Sequence, residues 1–325
     1  MHKIAVAGFR HPHILSLFQD IAATPECRIV GCCEEDAATR AGLAERPECK
    51  IDHTDYAAML RDLDCDIVAL GDYYAKRGAM AIAALKAGKH VIADKPLCTS
   101  LDELAEIRRL AGENKRCVGL MLPLWSHGNA VAARDLIATG KIGEVQAVAF
   151  TGQHPLNYGT RPGWYFEPGK HGGTINDIAP HGIDLTQFIT GMKFSAVAAV
   201  RTWNGQFPEA PHFHNGAQFL AVLENGAGIT ADVSYFACHF GLPGYWRFSV
   251  WGTRGWLEFN FKTPGVKLAV KDSPVIAEVF PAATLKGYWR AFLDEINGTP
   301  DAYFHTGHVL DVSEWSLNIQ AAARA

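Results

Sequence analysis

The sequence lacks the features that mark several classes of protein. No apolar run approaches the ~18 consecutive residues that suggest a membrane-spanning helix. Basic residues (30) do not outnumber acidic residues (34), and no basic stripe suggests nucleic-acid binding. Apolar residues make up 48 % of the chain, which is too many for a disordered protein. These absences predict a globular protein with neither a nucleic-acid nor a membrane partner.

Several motifs are missing as well. The eight cysteines are irregularly spaced and contain no Cys-x-x-Cys, which predicts reduced thiols in a cytoplasm rather than a disulfide framework. The first apolar run is far shorter than a signal-peptide core. No Gly-x-Ser-x-Gly elbow or P-loop lysine is present. His212, His214 and His239 have no Glu or Cys that completes a recognised ligand set, so no metal is predicted.

The length of 325 residues favours two domains, at about 150 residues per domain. In the first part, short apolar segments alternate with helical patterns, which is typical of a doubly wound parallel α/β sheet. The predicted strands of this Rossmann domain are residues 4–7, 28–33, 66–70, 90–93 and 116–120. We place this domain at residues 1–122.

From residue 123 to residue 325 the pattern is rich in strands. It predicts an α+β domain with a large open, mostly antiparallel sheet, which would bind substrate and form oligomers. The predicted strands are residues 144–151, 196–203, 217–223, 228–235, 246–251 and 255–261, and the predicted helices are 129–139, 178–189, 285–296 and 309–323. The C-terminal helix could pack back on the first domain.

The turn after the first predicted strand has one of the three glycines of a dinucleotide fingerprint. Gly8 takes the first position, whereas Arg10 and His13 take the other two. By itself the motif supports cofactor binding and a simple turn about equally. Glu34, at the end of the second strand, is predicted to bind the adenosine ribose, which favours NAD over NADP, although Arg10 could accept a phosphate. Asp36 is predicted to cap the next helix.

Two further motifs carry a family resemblance. Asp94-Lys95-Pro96 follows the fourth strand, and Gly172-Gly173 precedes Asp177 and His181. Together they resemble the Gfo/Idh/MocA family of nicotinamide-dependent oxidoreductases, whose Glu-Lys-Pro motif has Asp94 in place of the glutamate. The resemblance implies a Rossmann domain joined to an open-sheet domain, and a sugar, inositol or related polyol as substrate.

The resemblance also implies catalytic roles. Lys95 would stabilise developing charge on the substrate oxygen, and His181 would act as general acid and base. Asp177 lies four residues before His181, so in a helix that begins at Asp177 it could orient the imidazole or bind a substrate hydroxyl. A loop lysine, a helix cap and a core histidine are the structural alternatives, and the joint spacing favours catalysis.

The remaining predicted site residues form two sets. The predicted cofactor contacts are Gly8, Phe9, Arg10, His11, His13, Glu34, Asp72, Asp94 and Lys95. The predicted substrate contacts are Trp125, His154, Tyr158, Arg161 and Trp164, since aromatic and polar side chains suit a polyol face stacked on a ring. The family's Thr-Pro-Asn-like loop after the third strand is Asp72-Tyr73-Tyr74 here, which is a departure on the cofactor side.

The sequence therefore predicts a cytoplasmic NAD(P)-dependent oxidoreductase that acts on a secondary alcohol or ketone of a carbohydrate-like molecule. Two alternatives stay open: a redox-neutral lyase or glycosidase that keeps NAD bound, and a non-catalytic ligand sensor. Apolar side chains on the strands of the second domain also predict a homodimer or homotetramer formed through its sheet.

Overall fold

The computed structural model describes residues 1–281 and 284–323, which form two compact units. The first unit comprises residues 1–121, 162–172 and 288–314, and the second comprises the remaining described residues. The predicted division placed residues 123–325 in the second domain and allowed the C-terminal helix to pack back on the first. In the structure, segments 162–172 and 288–314 cluster with residues 1–121.

The first unit contains a five-stranded parallel sheet in the order β2-β1-β3-β4-β5. Its strands are β1 (His2–Ala7), β2 (Cys27–Cys33), β3 (Ile67–Leu70), β4 (His90–Ala93) and β5 (Val118–Leu120). Its helices are α1 (His13–Ala22), α2 (Ala37–Leu43), α3 (Tyr56–Asp62), α4 (Tyr74–Lys86), α5 (Leu101–Asn114) and, after the segments of the second unit, α8 (Tyr288–Ile296). The predicted Rossmann architecture is confirmed.

Local chemistry explains several of these helices. The apolar residues of α1 recur at helical spacing and are buried: Ile14, Leu17, Phe18 and Ile21. The side chain of Asp36 caps α2 by accepting a hydrogen bond from the Thr39 N–H at 2.9 Å, as predicted. Ser100 caps α5 in the same way.

The second unit contains an eight-stranded sheet in the order β13-β12-β11-β10-β6-β9-β8-β7. Its strands are β6 (Val145–Pro155), β7 (Phe194–Trp203), β8 (Gly216–Leu223), β9 (Gly228–Ala237), β10 (Arg247–Gly252), β11 (Gly255–Asn260), β12 (Val266–Val270) and β13 (Ala277–Val279). Its helices are α6 (Gly128–Ala138) and α7 (Thr174–Thr190), and α9 (Thr306–Ala322) runs from the first unit into it. All neighbouring strands are antiparallel except β6 and β9, so the mostly antiparallel sheet is confirmed.

The sequence patterns missed α3, β12 and β13. These elements have seven, five and three residues. The start of α7 also differs, because the helix begins at Thr174 rather than at Asp177 or Ile178. Gly173, with φ +104°, is the N-cap residue that directly precedes α7.

Side chains on the strands of the second unit alternate between the two faces of the sheet. Phe219, Phe248 and Val250 are buried on the face that packs against α6 and α7. Leu220 and Trp251 point the other way and are 47 % and 43 % exposed. The helices therefore cover one face of the sheet.

Helix length bears on the membrane prediction. α7 and α9 have 17 residues each. In residues 1–281 and 284–323, no helix combines the length and the apolar character needed to cross a membrane.

Candidate active site

The loops after β1 and β3 meet at one edge of the parallel sheet. β1 lies between β2 and β3, so this edge is the switch point where open α/β sheets bind dinucleotides. Gly8 has φ +77°, and a Cβ there would stand 2.6 Å from the Cβ of Asp72, so only glycine fits. α1 begins at His13 without an acidic side chain in its first turn, which leaves its N-terminal amides suited to phosphate.

Acidic residues surround Arg10 at the same edge. The Arg10 guanidinium lies 3.4 Å from Asp72, 3.7 Å from Glu34 and 3.8 Å from Asp36. The buried Glu34 carboxylate accepts hydrogen bonds from the N–H groups of Phe9 at 2.5 Å and Asp36 at 2.7 Å, and burial raises its pKa. Three carboxylates face one guanidinium here, and Lys76 Nζ, 2.8 Å from Asp72, supplies a second positive charge.

Asp94 is held by a buried cation. The Nη2 atom of Arg77 lies 2.8 Å from its carboxylate, and both side chains are fully buried. Burial disfavours the charged form, yet the positive charge of Arg77 holds the pKa of Asp94 well below its usual range. Asp94 is therefore a permanent anion in this unit.

His11 connects Asp94 to two tyrosines. Its Nδ1 is hydrogen-bonded to Asp94, and because a carboxylate only accepts, we assign the imidazole proton to Nδ1. Its Nε2 then accepts from the Tyr165 hydroxyl at 3.0 Å, and Tyr165 is bonded to the Tyr74 hydroxyl at 2.5 Å. Burial lowers the pKa of His11 to about 4, although Asp94 opposes this shift. The imidazole is uncharged at neutral pH.

His11, His13 and Asp94 are also close enough to hold a metal ion. Their ligand atoms all lie within 4.8 Å of one another. However, Arg77 occupies one side of the carboxylate at 2.8 Å, and the N-terminus of α1 adds partial positive charge at His13. Both features oppose a divalent cation and favour an anion.

Lys95 and Trp164 lie beside these loops in the first unit. Lys95 is 5 % exposed, and its Nζ is 5.9 Å from the centre of the Tyr74 ring. The indole N–H of Trp164 donates to the carbonyl oxygen of Arg10 at 3.2 Å. Trp164, which the sequence assigned to substrate, thus contacts the loop after β1.

In the second unit, α7 carries the predicted acid–base pair. Asp177 and His181 lie four residues apart on this helix and are 3 % and 9 % exposed. The Tyr235 hydroxyl, from β9, donates a hydrogen bond to the Asp177 carboxylate. The His181 ring packs edge-on against Trp246, with centroids 5.7 Å apart.

Two predicted substrate residues lie around Tyr235. The Arg161 guanidinium stands 5.1 Å from the centre of the Tyr235 ring and donates to the carbonyl oxygens of Leu156 and Pro155. The His154 ring lies 6.4 Å from Tyr235 and 5.8 Å from Trp246. A polar, aromatic surface therefore surrounds the α7 pair.

The other two predicted substrate residues make different contacts. Trp125 is 1 % exposed and packs against Phe188 at 5.7 Å. Tyr158 is 53 % exposed and packs against Phe207 at 5.0 Å. Neither contact involves the residues around Asp177.

Comparison with known proteins identifies the family. The description "Oxidoreductase family, NAD-binding Rossmann fold" matches residues 3–121, and "GFO/IDH/MocA C-terminal domain" matches residues 130–258. The chain belongs to the Gfo/Idh/MocA family. As a family member it has the expected two parts, an NAD-binding Rossmann domain and the C-terminal domain.

Relatives of this Gfo/Idh/MocA protein include sugar and polyol dehydrogenases. Levoglucosan dehydrogenase of Pseudarthrobacter phenanthrenivorans is 30 % identical over 64 % of this chain and 59 % of its own length. The chain thus aligns with less than two thirds of that relative. An scyllo-inositol 2-dehydrogenase (NADP(+)) of Bacillus subtilis is 23 % identical over 49 % of this chain and 45 % of its own length.

A solved structure agrees with the fold. The inositol dehydrogenase homolog from Azotobacter vinelandii, complexed with NAD+, has a TM-score of 0.80 and 19 % identity, covering 99 % of this chain and 95 % of that one. At this identity the similarity shows the fold of this Gfo/Idh/MocA member and nothing finer.

Sequence reasoning missed Arg77, Tyr165 and Tyr235 as site residues. Arg77 sits in the middle of an ordinary helical pattern, and Tyr235 continues the alternation of a strand. Tyr165 was grouped with the aromatic side chains that suit a polyol, and its bond to His11 was not predicted. Their contacts join residues far apart in sequence, so no local signal distinguishes them.

Proposed function

We propose that this protein transfers a hydride between a nicotinamide cofactor, NAD rather than NADP, and a secondary alcohol or ketone of a sugar, polyol or related molecule. The observation that carries the proposal is the burial of three ionisable side chains, Lys95, Asp177 and His181, at the family's motif positions. Ionisable side chains are rarely buried in an ordinary core, and buried ones cluster at functional sites.

The first unit supplies the cofactor residues. The N-terminal amides of α1 and the turn at Gly8 would hold the pyrophosphate, and Glu34 with Asp36 would face the adenosine ribose. A bound nicotinamide exchanges the hydride at C4 of its ring. Asp72 and Lys95 flank the edge where that ring would lie.

The chain's own residues handle the proton. The Lys95 ammonium stabilises negative charge on the substrate oxygen, which in a site shielded from water lowers the barrier by about 3–4 kcal/mol. His181 takes the hydroxyl proton during oxidation and returns it during reduction. Asp177, held by Tyr235, orients the imidazole or binds a neighbouring hydroxyl.

The substrate class rests on the surface around α7. His154 and Arg161, which are partly exposed beside Tyr235, offer hydrogen bonds to hydroxyl groups. The name of the levoglucosan-oxidising relative points the same way.

Removal of either proton-handling side chain should stop turnover. We expect Lys95→Ala and His181→Ala each to lower kcat by about 10³-fold, because charge stabilisation or proton transfer is lost. NAD affinity should stay within about threefold, since the amides that bind phosphate are unchanged. Absorbance of NADH at saturating sugar or polyol measures kcat, and calorimetry measures binding.

Lys193→Ala and His305→Ala are the matched controls, one exposed lysine and one histidine outside the site. Wild-type rates in both catalytic variants would disprove the assignment. Product formation without stoichiometric NADH release would instead identify the redox-neutral lyase or glycosidase. Cofactor binding without turnover of any substrate would favour a sensor.

Cofactor preference can be tested by titration with NAD, NADH, NADP and NADPH. We expect the NAD forms to bind at least about tenfold more tightly, because Glu34, Asp36 and Asp72 together repel a 2′-phosphate. Arg10→Ala should leave this preference in place, since the carboxylates already neutralise the guanidinium. Tighter NADP binding that disappears in Arg10→Ala would show that Arg10 binds phosphate.

A further inference from the structure

Arg77 is a fully buried cation with an unusual number of acceptors. It lies on α4. Its guanidinium donates to the carbonyl oxygens of Gly71, Asp72, Asp94, Lys95 and Pro96 and to the carboxylate of Asp94. The shortest of these bonds, 2.6 Å from Nη1, reaches the carbonyl oxygen of Lys95.

These acceptors belong to two separate loops. Gly71 and Asp72 follow β3, whereas residues 94–96 follow β4. Because a guanidinium is planar and its five N–H groups point in fixed directions, it holds both loops in one relative position. An ammonium of the same charge has three donors on one atom and cannot bridge the same set.

The main chain of the loop after β3 is in turn hydrogen-bonded to a third loop, the turn after β1. The Gly71 N–H is bonded to the Ala7 carbonyl at 2.9 Å, and the Asp72 N–H to that of Gly8 at 3.0 Å. Arg77 therefore connects the main chain of Lys95, through the loop after β3, to the turn at Gly8.

We propose that Arg77 is a positioning residue for hydride transfer. By holding the Lys95 main chain against the loop after β3, it sets where the Lys95 ammonium stands relative to the reacting oxygen. The ring of Tyr74 supports both cations, at 4.6 Å from the Arg77 guanidinium and 5.9 Å from Lys95 Nζ. The effect of Arg77 on hydride transfer rests on the proposed function. Its coupling of the two loops is independent of that function.

Arg77→Lys keeps the positive charge and removes the planar set of five N–H donors. Its control is Arg116→Lys, which alters an arginine of the same unit that donates to a single carbonyl, that of Gly88. In cofactor-free protein, amide hydrogen exchange in peptides covering residues 71–73 and 93–97 should accelerate at least about tenfold in Arg77→Lys and not in the control.

The kinetic readout separates positioning from general loss of structure. In Arg77→Lys, kcat per cofactor-binding site should fall about 100-fold, because a small misplacement of a reacting group costs that much. NAD affinity should stay within about threefold. The primary isotope effect with substrate deuterated at the reacting carbon should rise, since hydride transfer becomes rate-limiting.

Unchanged exchange in both loops, or unchanged kcat, would overturn the proposal. If Arg77→Lys does not fold, the wild type still provides a test: amides of the two loops should become exchange-competent together, and independent opening would contradict the inference. If the wild type transfers no hydride, the proposed function fails, and the exchange experiment still decides whether Arg77 couples the loops.

Discussion

His11 is a buried histidine whose neutral form the structure selects. It lies in the turn after β1 and is bonded to Asp94 on one side and to Tyr165 on the other. Burial lowers its pKa to about 4, whereas an exposed histidine in the unfolded chain titrates near 6.5. Between these two pKa values, the unfolded state binds a proton at His11 that the folded state does not.

This shift predicts a loss of stability in mild acid. A depressed histidine pKa means that folding becomes less favourable as pH falls from about 6.5 toward 4. When the pH falls from 7.5 to 5, His11 should lower the free energy of unfolding by about 2 kcal/mol. His11→Gln should lack this part of the pH dependence, as measured by urea denaturation at both pH values.

His53→Gln serves as a control for this experiment, because that histidine is less buried than His11. An equal pH dependence in the wild type and in His11→Gln would show that His11 is not buried in its neutral form. The absolute stability of the variants at pH 7.5 does not enter the comparison.

At the scale of elements, α7 is pressed closely onto the sheet at Gly182. A Cβ at this position would overlap the ring of Phe150 on β6. Phe150 cannot easily give way, because it is 2 % exposed and lies between Phe219 and Phe248. The closeness of this contact places the helix that carries Asp177 and His181.

Gly182→Ala should therefore destabilise the protein. Overpacking in a core costs about 1–3 kcal/mol, and because the Phe150 ring cannot move away we expect the upper part of this range, which exceeds the ~1 kcal/mol that alanine gains over glycine in a helix. Gly112→Ala in α5 is the matched control, since nothing lies within 4 Å of its added Cβ, and it should stabilise the protein. Thermal unfolding measures both, and an equal gain in the two variants would contradict the close contact.

Most elements were predictable because local signals agree with the packing. The capping side chains of Asp36 and Ser100 and the turn at Gly226, with φ +86°, mark boundaries that the structure has. The parallel pairing of β6 with β9 was not predictable, since the choice of a strand's neighbour in a sheet depends on contacts between residues distant in sequence. The same reason explains why residues 162–172 pack with the first unit.

At the scale of the whole molecule, the second unit has an uncovered sheet face. Leu220, Phe236 and Trp251 are each more than 40 % exposed there. Apolar patches on a sheet of this kind are typical of interfaces between subunits. The proposed homodimer or homotetramer would form through this face.

Sedimentation at micromolar concentration should therefore give a dimer or a larger assembly. Leu220→Glu is expected to dissociate it, because an unpaired carboxylate in an apolar interface costs more than it gains. Val275→Glu is the control, since Val275 is 65 % exposed in the connection between β12 and β13. A monomeric wild type would exclude the assembly.

Composition and hydrophobic period by themselves determined that this is a two-part α/β and α+β protein. The resemblance of its motifs to the Gfo/Idh/MocA family then pointed to a nicotinamide oxidoreductase and to Lys95, Asp177 and His181. Those properties are local or depend only on order along the chain. The tertiary structure alone decided the neighbours of these residues: Arg77 on the Lys95 main chain, Tyr235 on Asp177, and acidic side chains around Arg10. These contacts join residues that are distant in sequence, so they exist only once the separate segments have packed together.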